Sequence, residues 1–106
     1  MILVTQTKIF DKHMSQLTKR FGISNSEALE IVHEIREVKK VLREQATLPK
    51  SLGYQLHRLT DAPWTGYMEF HVADNILVVY ADLSSKQTIR LIGIYTHEML
   101  RSGLLD

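Results

Sequence analysis

The chain has 106 residues, 44% of them apolar and 24% charged, a composition that suits one globular domain over 1–106 and leaves no room for a second core. Thirteen Lys/Arg against twelve Asp/Glu leave a net charge of +1, which excludes a strong general affinity for nucleic acid, so any basic patch must be assembled by folding. The absence of cysteine excludes disulfides and thiolate metal sites.

In chain order, Met1-Ile2-Leu3-Val4 is apolar but breaks at once into Thr5-Gln6-Thr7-Lys8. It is too short for a signal peptide or a membrane span, so no membrane association and a cytoplasmic location are expected. Ile2 to Thr5 is a candidate strand. From Lys8 the period changes to helical: Ile9, Phe10, Met14, Leu17 and Phe21 form a stripe, and Gly22 follows where a helix commonly ends in a left-handed residue. Ser24-Asn25-Ser26-Glu27 has the form of a capping box. The helix it opens carries Ala28, Ile31, Val32, Ile35, Val38 and Leu42 on one stripe, and Thr47-Leu48-Pro49 is its expected end.

The second half reads as strands. Tyr54 to Arg58 is a short candidate, and Asp61-Ala62-Pro63 a turn. Gly66 to Ala73 alternates, with Met68, Phe70 and Val72 on one face and Tyr67, Glu69 and His71 on the other. Asp74-Asn75 has the size of a tight hairpin connection, and both residues tolerate positive φ. Ile76 to Leu83 is apolar on both faces and should be central. Thr88 to Thr96 is a further strand, with Ile89, Leu91, Gly93, Tyr95 and His97 on one parity and Arg90, Ile92, Ile94 and Thr96 on the other. His97 to Arg101 is a short final helix or turn. The order is β-α-α followed by three or four strands on short connections. The expected fold is α+β, with two N-terminal helices on one face of a small, twisted, mostly antiparallel sheet and the other face left for function.

Histidine is the residue type with the most chemistry here. His13 and His33 lie on the helices beside Lys12 and Glu34 and read as solvated surface. His57, His71 and His97 all fall in the sheet half. Two histidines and a carboxylate suffice to cleave RNA by internal attack: a base takes the 2′-hydroxyl proton, an acid protonates the departing 5′-oxygen, and a cation steadies the phosphorus. The nucleophile belongs to the substrate, so the route needs no metal or other cofactor, and it demands RNA. Three histidines with Glu69 or Asp74 could instead hold zinc, but neither His33-Glu34 nor His97-Glu98 is followed by a second histidine at ligand spacing.

The stretch LPKSLGYQLHRLTDAPWTGYMEFHVADNILVVYADL, continued by TIRLIGIYTHEML, resembles the YafQ branch of the RelE-like toxins of bacterial type II toxin–antitoxin pairs. The likeness rests on the histidine before the turn, the W-x-G-Y stretch, the acid-x-His step, the apolar strand ending in Tyr80, and the Thr-His near the C-terminus. It implies a RelE/ParE-like fold and a metal-independent endoribonuclease, an mRNA interferase that cuts translated mRNA on the ribosome. A cognate antitoxin would silence it in a hetero-oligomer. Carried over by position, the site residues are His57, Glu69, His71, Asp74 and His97. His97 is the expected acid and His71, with Asp74 or Glu69, the expected base; those two labels can be exchanged. The position four before His97, where the family carries arginine, is Gly93, so Lys50, Arg58, Arg90, Arg101 or a protonated histidine is expected to supply the cation, with His57 binding or steadying the phosphate. Two other readings stand beside this one: a ParE-like inhibitor of DNA gyrase, which needs no histidine cluster, and an inactive toxin-fold protein that binds its antitoxin.

Overall fold

The computed structural model describes residues 2–45, 56–60 and 62–103. β1 (Leu3–Gln6) leads into α1 (Lys8–Ser15), α2 (Leu17–Phe21) and α3 (Asn25–Gln45). β2 (Leu56–Arg58), β3 (Met68–Ala73), β4 (Ile76–Leu83), β5 (Thr88–Tyr95) and α4 (His97–Arg101) follow. The strands lie in the order β1-β5-β4-β3-β2, antiparallel except for β1 with β5. This is the α+β arrangement expected from the sequence. β4 takes the centre of the sheet, as a strand apolar on both faces must.

The helix starts obey their caps. Thr7 Oγ1 accepts the Phe10 N–H at 3.0 Å to open α1. The Ser24 hydroxyl accepts from Glu27 N at 3.1 Å while the Glu27 carboxylate accepts from Ser24 N at 3.3 Å, a complete capping box. Gly22, at φ 64°, is the left-handed residue that ends α2. The single helix expected from Lys8 to Phe21 is instead two. Gln16, at φ −126° and ψ 24°, leaves helical geometry and donates to the His13 carbonyl three residues back. Phe10 and Leu17, one on each side of the break, are both buried in the core. His13 is fully buried rather than solvated, and its Nδ1 accepts the Ile94 N–H at 3.0 Å. His33 is exposed, as expected. The end of α3 at Gln45 is described, whereas Thr47-Leu48-Pro49, Lys50 and Tyr54 lie outside the described residues.

Two hydrophobic clusters sit on opposite faces of the sheet. On the helix side, Phe70, Val78 and Leu91 meet Phe10, Ile35 and Leu42, with Met68 and Val72 against them. Burying each such large side chain contributes roughly 1.5–3 kcal/mol, so this cluster dominates stability. Tyr80 points into it, and burial, reinforced by Asp82, pushes its phenol far above the usual range, so the group stays neutral. The other face is not left open. Trp64, Leu77, Val79, Tyr95 and Leu100 make a second, smaller core there. Trp64 Nε1 ties it shut by donating to the Leu100 carbonyl at 2.8 Å.

Two bulges shape the strands. In β3, His71 faces Leu77 and Ala73 faces Ile76, so Val72 is an inserted residue just before the Asp74-Asn75 turn. Neither turn residue has positive φ; the non-glycine that does, among the described residues, is Gln87 at φ 57°. In β5, Gly93 faces Val79 and Leu91 faces Tyr80, so Ile92 is inserted. The insertion breaks the expected parity. Ile89, Leu91 and Ile94 join the main core, while Ile92 and Tyr95 join the second. Thr7 holds the bulge from β1, donating its N–H to Leu91 O at 3.0 Å and its hydroxyl to Ile92 O at 2.7 Å.

Gly93 is required by what lies over it. A Cβ there would stand 2.4 Å from Tyr95 Oη and 2.6 Å from its Cζ, and Tyr95 is fully buried with no room to retreat. Gly93→Ala is therefore expected to cost about 1–3 kcal/mol through overpacking, read as a lower urea midpoint at unchanged m-value. An unchanged midpoint would show that Tyr95 can move.

Candidate active site

Strand register builds the first half of the site. β2 and β3 place His57 directly opposite Glu69, and His57 Nδ1 sits 3.3 Å from Glu69 Oε1. Glu69 is 6% exposed, so its carboxylate is largely shielded from water. His71 is two residues further along the same face of β3. Its ring stands almost perpendicular to that of His57, with centroids 6.1 Å apart. The alternation of β3 thus puts Met68 and Phe70 into the main core and Glu69 and His71 on the far side, as the sequence pattern requires.

The second half arrives on α4. Thr96 caps it, its hydroxyl accepting the Met99 N–H at 3.2 Å. Arg20 braces it from α2: Nε donates to Ile94 O at 3.0 Å, Nη2 lies 3.4 Å from Met99 Sδ, and the guanidinium stands over the Tyr95 ring. His97 opens the helix, where a backbone N–H has no partner within the helix. Asn75 supplies one, its Oδ1 accepting the His97 N–H at 3.3 Å. The same oxygen lies 2.8 Å from His97 Nδ1. A backbone N–H can only donate, so the amide must present oxygen, and His97 Nδ1 must carry a proton. That directs Nε2 of His97 outward, to 3.3 Å from Nε2 of His71. Two nitrogens at that distance share one proton between them. When both rings are neutral, His71 is the donor, and its Nδ1 holds a lone pair that is buried without a hydrogen-bond partner among the described residues.

Beside this chain of groups lies a cleft of about 310 Å³ lined by Arg58, Trp64, Glu69, His97, Leu100 and Arg101. A larger hollow of about 690 Å³ lies on the helix side between α3 and the β3–β4 hairpin, but its walls carry Glu27, Glu30 and Glu34 and none of the clustered histidines. Of the residues picked out in the sequence, the fold brings together His57, Glu69, His71 and His97, and adds Arg58 and Arg101 at the cleft. Arg58 also reaches Gly66 O at 3.4 Å. Arg90 is exposed at the opposite end of β5 from His97. Lys50 lies outside the described residues. Asp74 is exposed in the turn, and among the described residues no hydrogen bond joins it to a histidine; its neighbour Asn75 makes the contact. Asn75 had a signal in the sequence: once Leu77 pairs with Tyr95, an antiparallel register continued past the strand ends brings Asn75 opposite His97.

The family model described as "Bacterial toxin of type II toxin-antitoxin system, YafQ" matches residues 3–102. No curated protein matches the chain. Among solved structures, a metal-bound toxin from Helicobacter pylori is 26% identical, with a TM-score of 0.64 over 94% of this chain and 99% of that one. A mutant of YafQ from E. coli is 18% identical, with a TM-score of 0.68 over 94% and 98% of the two chains. YafQ in the E. coli DinJ-YafQ complex is 20% identical, with a TM-score of 0.67 over the same shares, 94% and 98%.

The tautomer is directly measurable. Long-range ¹H–¹⁵N spectra at alkaline pH, where the rings are neutral, should show His97 with its proton on Nδ1. Asn75→Ala should give a mixture of tautomers, and Asn75→Asp should keep the wild-type one. A His97 protonated on Nε2 in the wild type would refute the arrangement.

Proposed function

The chain belongs to the YafQ family of bacterial type II toxins, and on that premise we propose that it is an endoribonuclease that cuts mRNA on the ribosome and is held inactive by a cognate antitoxin. The observation that carries the reading is the convergence of Glu69 and His97 on one cleft with Arg58 and Arg101. Those are an acid, a base and cations for a phosphate, on a face where a binding protein would need none of them.

The geometry favours a division of labour. In-line attack places the 2′-oxygen and the departing 5′-oxygen on opposite sides of phosphorus, so base and acid must stand apart. His71 and His97 are in mutual contact at 3.3 Å and cannot flank a phosphate in that arrangement. Glu69 and His97 both line the cleft and can. In the proposed reaction Glu69 accepts the 2′-proton, and the 2′-oxygen bonds to phosphorus. His97, as the doubly protonated imidazolium, delivers the proton on Nε2 to the 5′-oxygen as the P–O5′ bond breaks. The products are a 2′,3′-cyclic phosphate and a 5′-hydroxyl. Asn75 keeps the other ring proton in place, so the transferred proton can come from the outward nitrogen. His71 holds the His97 ring in position, and His57 orients the Glu69 carboxylate. Arg58 and Arg101 take the place of the arginine for which Gly93 has no space. The antitoxin part of the proposal is supported by the crystal structure of a fold relative with DinJ; the partner of this chain would be its own antitoxin.

Two measurements test this. Induced in bacteria, the wild type should create new mRNA 5′ ends within translated frames, mapped by primer extension, and His97→Ala should abolish them. Growth arrest that persists in His97→Ala without RNA cuts would replace this reading with gyrase inhibition. In a purified translation system, Arg58→Ala combined with Arg101→Ala should lower cleavage about a hundredfold or more, the scale of losing charge stabilisation at a phosphate. Equal rates would remove both arginines from the site.

A further inference from the structure

We propose that His13 and Arg20 are positioning residues for His97: from α1 and α2 they grip the backbone of Ile94, and so fix where β5 ends and where α4 begins. The effect on catalysis rests on the nuclease reading above; the grip itself does not.

β1 accompanies β5 only as far as Leu91. Beyond it, β5 has β4 on one side and, among the described residues, no strand on the other. A strand edge leaves backbone groups that must find partners elsewhere. Here side chains take the place of a strand. The Ile94 N–H donates to His13 Nδ1 at 3.0 Å, and the Ile94 carbonyl accepts from Arg20 Nε at 3.0 Å. Both polar groups of one residue are held in this way, three residues before His97. The need for an acceptor also explains a fully buried histidine where a leucine could fill the space. A backbone N–H only donates, so His13 Nδ1 carries no proton.

The hold continues into the next residues. The His13 imidazole meets the Tyr95 ring edge-on, with centroids 5.2 Å apart, and the Arg20 guanidinium stands 5.4 Å from the centre of the same ring. Arg20 Nη2 reaches on to Met99 Sδ at 3.4 Å. The chain is thus fixed at Ile94 and Tyr95 before His97 and at Met99 after it. Neither His13 nor Arg20 lines the cleft, so their effect on the reaction passes through the backbone that carries His97. Such an effect is large, because a misplacement of about 1 Å at a reacting group costs on the order of a hundredfold in rate.

The test compares the full-length wild type with Arg20→Ala, His13→Leu, His13→Asn and, as a control on the exposed side of α2, Lys19→Ala. Each is checked for folding by circular dichroism. Asparagine keeps an acceptor oxygen close to where Nδ1 stands, and leucine removes it. In hydrogen exchange without RNA, the amides of Leu100 and Ser102, which bond to Thr96 O and Glu98 O, should exchange about tenfold or more faster in Arg20→Ala and His13→Leu. Those of β4 should stay slow, and His13→Asn and Lys19→Ala should behave as the wild type. Unchanged exchange in both Arg20→Ala and His13→Leu overturns the grip. In cleavage, the same two variants should lower kcat about tenfold or more at little-changed KM, with His13→Asn restoring it. A fall in kcat for Arg20→Ala with α4 exchange and the His97 tautomer both as in the wild type would make Arg20 a direct participant and overturn its positioning role. A wild type that cuts no RNA would instead count against the nuclease reading, while the exchange rates would still decide the grip.

Discussion

The inserted residue in the last strand sets the rest of the molecule. Without Ile92, β5 would keep strict alternation, and Tyr95 would point with Leu91 into the main core. With it, Tyr95 turns to the other face and becomes the floor of the second core. The strand then ends with Thr96 positioned to cap α4, and His97 emerges over β3. A bulge costs a ladder hydrogen bond, and here the loss is offset by β1, whose following residue Thr7 takes both carbonyls at the irregularity. The same threonine starts α1. One side chain thus joins the first strand, the first helix and the last strand at the point where the face of the sheet is exchanged.

The candidate site depends on a second constraint, the order of protons along Asn75, His97 and His71. Each contact would be weak by itself, since an exposed neutral hydrogen bond contributes on the order of 1 kcal/mol. Their value lies in direction. The backbone N–H of His97 fixes the amide, the amide oxygen holds the imidazole by Nδ1 and keeps a proton on it, and Nε2 is left facing outward. An uncharged amide does this without adding a third negative group beside Glu69 and Asp74.

Much of this was legible in the sequence, and the parts that were not have identifiable causes. The capping box at Ser24, the α3 stripe, the central β4 and the alternation of β3 follow from local rules and stand as read. The grouping of His57, Glu69, His71 and His97 rested on their likeness to the YafQ branch, since residues 57 and 97 are linked only through His71, by way of the sheet register. What local rules missed were interruptions. A bulge adds a residue without leaving a composition signal, so the parity of Ile94 was misassigned. The break at Gln16 leaves the apolar stripe from Ile9 to Phe21 uninterrupted, so the helical period does not register it. His13 read as surface because lysine adjoins it, yet the N–H it satisfies belongs to Ile94, far along the chain. The second core was invisible for a similar reason: Trp64 and Leu100 are 36 residues apart and meet through one hydrogen bond.

Helix α4 has five residues, too few to be stable by itself in water. Its existence is borrowed from Trp64 below and Arg20 beside it. His97 is therefore carried by one of the two shortest helices, and the amide protons of α4 should exchange with solvent through partial opening well before the sheet unfolds. The position of that imidazole is a running report on whether the small core is closed.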